Sequence, residues 1–182
     1  MIDAVAHVER IICDFWASAP SNSLDLETGE KAWAIPHVAI AQGDDPLLEM
    51  IGSFLWTPEE AYALAFPDAP APASELRVIS YVLPQTPETR ADQRLEKTVP
   101  AERWARSRFH GEEFNCNLRI HLAETLTRAG YPSVAPERLP DFGYQQSERF
   151  GLASNPLITL SVKMQITNHR LIPPYEYRKV MT

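Results

Sequence analysis

The chain has 182 residues, enough for one domain of ordinary size with a hydrophobic core. Apolar residues make up 45% and charged residues 23%, the balance of a globular protein, and the net charge of −7 argues against general affinity for nucleic acid, which needs a basic field. No run approaches the roughly 20 apolar residues of a membrane span, and charges break up the first ten positions as no signal peptide allows, so the expectation is a soluble, cytoplasmic protein without a membrane partner.

In chain order, Ile2, Val5, Val8, Ile12, Phe15 and Trp16 recur at helical spacing and predict a helix over 2–19, closed by Pro20. Turns follow from Ser21 to Asp45, with a short apolar run from Ile35 to Ala41 that suits a strand. A second helix is predicted over 56–66. Thr57 is its N-cap, Pro58 its first residue, and Glu60 completes a capping box. The proline run from Pro67 to Pro72 then forces a break, read as a rigid connection.

Arg77 to Leu83 is the best central strand, rich in β-branched and aromatic residues and stopped by Pro84. The polar stretch 85–98 is expected to be loop. A long helix is predicted from about 100 to 129, with Phe114, Leu118, Leu122, Thr125, Leu126 and Ala129 as its core stripe and Gly130 at C′. Gly111 is where that helix could divide in two, since an interior glycine costs about 1 kcal/mol. Prolines make 131–156 loops and short extended pieces. Finally, Ile158, Leu160, Val162, Met164 and Ile166 alternate with polar residues, a period of two that marks a strand over about 157–167 with one buried face.

These elements predict an α/β (α+β) fold in which one mixed sheet is flanked by helices. All of 1–182 is expected to form a single domain, with 151–182 as an atypical tail that completes it. That tail is also basic, with four cations to one acid.

Cys13 and Cys116 are the two cysteines. A common iron–sulfur cluster takes about four thiolates and structural zinc about four close Cys/His ligands, so no metal is expected on this chain. A disulfide between the two has no support in a reducing compartment, and buried or inert thiols are the plain reading.

Polar chemistry concentrates between Arg90 and Arg119, where Arg90, Arg94, Arg103, Arg106, Arg108 and Arg119 lie close together. Arginine grips carboxylates and phosphates in bidentate fashion, so a clamp for an anionic ligand is one reading. The other, which the spacing favours, is pairing with Glu96, Glu102, Glu112 and Glu113 on solvated helix faces. Asn117 and His121, at i and i+4, share a helix face. His121 borders the apolar stripe and reads more simply as a packed residue than as a catalyst. His110 lies at the expected kink, either a surface histidine or an exposed acid or base. Glu59-Glu60 is explained by capping and the helix dipole. No dinucleotide, P-loop, zinc-protease or nucleophile-elbow pattern is present.

The run RVISYVLPQTPETRADQR from Arg77 to Arg94 and PAERWARSRFHGEEFNCNLRIHL from Pro100 to Leu122 resemble a family of iron–sulfur reductases, the relatives of epoxyqueuosine reductase and the corrinoid-dependent reductive dehalogenases. GYPSVAPERLPDF at Gly130–Phe142 and FGLASN at Phe150–Asn155 continue the likeness. Family members go on to a W-S-E-R-H-type stretch, a glycine-rich segment and cysteine-rich motifs. Here Pro156 and the alternating strand stand in their place.

The resemblance thus implies a shortened relative that lacks the cluster-binding part. It would be an oxidoreductase, if active at all, that takes electrons from a partner. It implies part of a substrate or corrinoid cleft lined by Arg90, Arg106, Asn117 and His121, with no cofactor bound by this chain alone and a corrinoid as the one to test. The alternative is a non-catalytic module binding a small molecule or a protein, dimerising through the tail strand. A third reading is a degenerate remnant whose tail merely restores folding.

Overall fold

A computed structural model of the chain describes residues 4–25, 27–50, 56–139 and 163–168. The elements, in order, are helix α1 (Ala4–Ser18), strand β1 (His37–Gln42), short helix α2 (Pro46–Glu49), α3 (Pro58–Ala65), β2 (Leu76–Val82), α4 (Pro87–Leu95), α5 (Glu102–Arg128), β3 (Ser133–Val134) and β4 (Lys163–Asn168). Single 3-10 turns occupy Ala73–Glu75 and Pro136–Arg138. The four strands form one sheet in the order β1-β2-β4-β3. Helices and sheet together make the fold α/β, as the sequence predicts.

The described residues gather into two compact units that interleave along the chain. The first draws on 4–25, 27–38, 81–125 and Lys163, the second on 39–50, 56–80, 126–139 and 164–168.

In the first unit, α1 buries Val8 and Ile12 of the predicted face, together with Ile11, while Val5, Phe15 and Trp16 of that face are half-buried. Phe15 meets Phe114 of α5 with ring centroids 5.5 Å apart. The carbonyls at the end of α1 do not go unpaired. Lys31 Nζ donates to the carbonyls of Trp16 and Ala17 at 3.1 and 2.8 Å, favourable placement of a cation at a helix C-terminus. Buried Asn22 ties the following loop down: its Nδ2 donates to the Trp16 carbonyl and its Oδ1 accepts from Trp33 N, both at 3.1 Å.

α5 carries the predicted core stripe through Phe114, Leu118, Leu122 and Leu126, all buried, but Thr125 is half-buried and Ala129 exposed. The helix runs unbroken through Gly111, against the expectation that it could divide there. The reason is packing. A Cβ on Gly111 would lie 2.5–2.6 Å from the indole of Trp33, and Trp33 Nε1 donates to the Gly111 carbonyl at 3.1 Å. The glycine is there for close approach.

The stretch 85–98 is also not a loop: α4 occupies Pro87–Leu95. Thr86 caps it, its hydroxyl accepting from Thr89 N, and Pro87 takes the first helical turn. Among its residues only Thr89 is buried, so no apolar stripe announces this helix.

In the second unit, Thr57 and Glu60 form the predicted capping box. Thr57 N donates to Glu60 Oε2 at 2.7 Å and Glu60 N to Thr57 Oγ1 at 3.3 Å. Ala61 and Tyr62 of α3 pack with Ala71, Leu76, Val78 and Val134 into a buried cluster. Gly130, at φ +89°, closes α5 in a Schellman motif, with Gly130 N donating to the Thr127 carbonyl and Tyr131 N to that of Leu126.

β3 and β4 pair antiparallel, Ser133 opposite Thr167 and Val134 opposite Ile166. The predicted C-terminal strand is thus present over Lys163–Asn168; its first part, 157–162, lies outside the described residues, as does most of the tail 151–182. Among the described residues no helix is long and apolar enough to cross a membrane.

Candidate functional site

In the first unit, the α1–β1 loop, the end of α4 and the start of α5 enclose an open depression of about 450 Å³. Asp25, Glu30, Asp92, Glu96 and Glu102 line it, with Arg103, Arg106, Leu24, Leu95 and Ala101. Gln93 Oε1 accepts from Ala101 N at 3.0 Å, which holds the turn between the two helices against α4.

Its volume is that of a small-molecule site, but its chemistry is not, because such sites are mostly apolar with a few converging polar groups. Five carboxylates face two arginines, and both arginines are engaged. Arg106 Nη1 donates to Asp25 Oδ2 at 3.0 Å and Nη2 to Glu102 Oε1 at 2.6 Å. Arg103 Nε reaches Asp92 Oδ2 at 2.8 Å, and its Nη1 pairs with Glu30.

Asp25 is itself fixed by the turn it starts. Its Oδ1 accepts from Thr28 N, Thr28 Oγ1 and Glu27 N. The two bonds from Thr28 hold its carboxyl below the ordinary range against the opposing effect of desolvation, with lesser help from the Glu27 bond and the charge of Arg106. The depression therefore has an excess of negative charge, unsuited to a phosphate or carboxylate ligand.

A second polar group lies further along α5. The Tyr81 hydroxyl donates to Asn115 Oδ1 at 2.9 Å, and both residues are buried. Arg119, also buried, donates from Nε to the Asn115 carbonyl at 3.2 Å. Its Nη2 donates to Glu112 Oε1 at 2.9 Å and to Cys116 Sγ at 3.1 Å. Burial, with Glu112 and Cys116 adding and Arg119 opposing, pushes the Tyr81 phenol well above its usual range. Tyr81 is thus a neutral donor at ordinary pH and not an acid–base group.

The four cleft residues implied by the family likeness do not meet in one place. Arg106 lines the depression, paired as described. Arg90 is exposed on α4 and is not among the lining residues. Asn117 and His121, both half-buried, lie one turn apart on α5, but Asn117 is eleven residues from Arg106, about 16 Å along the axis. The His121 ring stacks on Phe15 at 4.6 Å, the packed arrangement its position beside the stripe suggested. His110 lies within the continuous helix, half-buried, edge-on to Phe109 at 5.2 Å.

The sequence pointed to Glu102 and Glu112 among the carboxylates that would pair with the arginines, and they hold Arg106 and Arg119, although Arg119 is buried and not on a solvated face. It missed Asp25, Glu30 and Asp92, whose role depends on long-range folding. It also missed the buried Asn115–Tyr81 pair, although Asn115 and Arg119 stand one turn apart on the helix.

Both cysteines are free, Cys13 half-buried on α1 and Cys116 exposed on α5. Burial first, then the charges of Glu9 and Asp14, raises the Cys13 thiol above its usual range. Two thiols do not fit an iron–sulfur cluster that takes about four, and among the described residues no group of three or more His, Cys, Asp or Glu side chains could hold a metal ion. The depression does not fit a corrinoid either. That macrocycle is far larger, and its phosphate would face the acidic lining.

Compared with known proteins, the chain matches no family model, no curated protein and no solved structure.

Proposed function

We propose that the chain is a shortened relative of the epoxyqueuosine-reductase and corrinoid-dependent reductase group that works as a non-catalytic protein-interaction module in the cytoplasm. Its likeness to that group runs over β2, α4 and α5, the elements that carry the arginine-rich chemistry, and continues at Gly130–Phe142 and Phe150–Asn155.

One observation carries the functional reading: three arginines of the first unit are held by carboxylates of the same chain while large apolar side chains face water. Arg103, Arg106 and Arg119 are all engaged by carboxylates of the same chain. Phe109 on α5 is 80% exposed and Leu95 at the end of α4 is 78% exposed, with Val99 and Ile35 also in solvent. The more exposed pairs, those of Arg103 and Arg106, each contribute under about 1 kcal/mol. In this reading a protein partner covers these apolar side chains, and a ring such as Phe109 makes an effective anchor. The partner this reading takes is a second copy of the chain.

Photo-crosslinking tests this. A photoreactive residue in place of Phe109 should give one discrete adduct in cells that express the chain, and the same probe in place of exposed Glu88 should not. Equal labelling at both positions, or none at either, would contradict the reading.

A further inference from the structure

We draw no further inference here: the strongest candidate, the exposed Cys116 thiol beside the buried Arg119 guanidinium on α5, is a single cysteine with nothing else in the structure that points to a ligand.

Discussion

The indole of Trp33 occupies the space that a side chain at residue 111 would fill, and its Nε1–H donates to the Gly111 carbonyl. The two residues are 78 positions apart. Helix propensity alone would favour alanine at Gly111 by about 1 kcal/mol, but packing opposes it. Gly111→Ala should destabilise the protein by a net of about 1–3 kcal/mol, the usual cost of overpacking. Urea unfolding measures it, and a stabilised variant would show that the indole does not lie there.

Thr86 and Thr57 cap helices of opposite legibility. Thr57→Ala removes one half of a capping box and should cost about 1 kcal/mol. Thr86→Ala should cost a similar amount, because its hydroxyl accepts from Thr89 N. Were 85–98 a loop, Thr86→Ala would be close to neutral. Urea midpoints of the two variants, with exchange protection of the Thr89 amide, decide between these outcomes.

Tyr81 should give the protein an alkaline limit. Its phenol titrates higher in the folded chain than in the unfolded one. The unfolded state therefore loses its proton first, at about pH 10. The stability this residue contributes is fully present below that pH and declines as pH rises toward the folded value. Tyr81→Phe should flatten the decline above pH 10. At neutral pH the same change leaves Asn115 Oδ1 without its donor, at a cost of about 1–3 kcal/mol. A phenolate absorbance titration on wild type should show one tyrosine that ionises only as the chain unfolds.

How far the sequence could be read depended on whether a signal was local. Thr57, Pro58 and Glu60 lie within four residues, and the box they predict is the one observed. Thr86-Pro87-Glu88 opens with the same three residue types, but the helix behind it buries only Thr89, so hydrophobic periodicity had nothing to report. Gly111 carried an ambiguous cue. Glycine disfavours helix, and only a tryptophan 78 residues away turns it into a requirement.

The candidate site divides in the same way. The pairing of Arg106 with Glu102 follows from i,i+4 spacing, whereas its bond to Asp25 spans 81 residues. An arginine count shows that charge is concentrated, but not whether a ligand or the chain itself will meet it.

The most direct test of inward-turned chemistry is a titration of the purified protein with hydroxocobalamin, followed by the visible spectrum of the corrinoid. The proposal predicts no spectral shift up to high micromolar concentration, in wild type or in Arg106→Ala. A saturable shift in wild type that Arg106→Ala or Asn117→Ala abolishes would contradict it, and would restore the cleft that the family likeness implies.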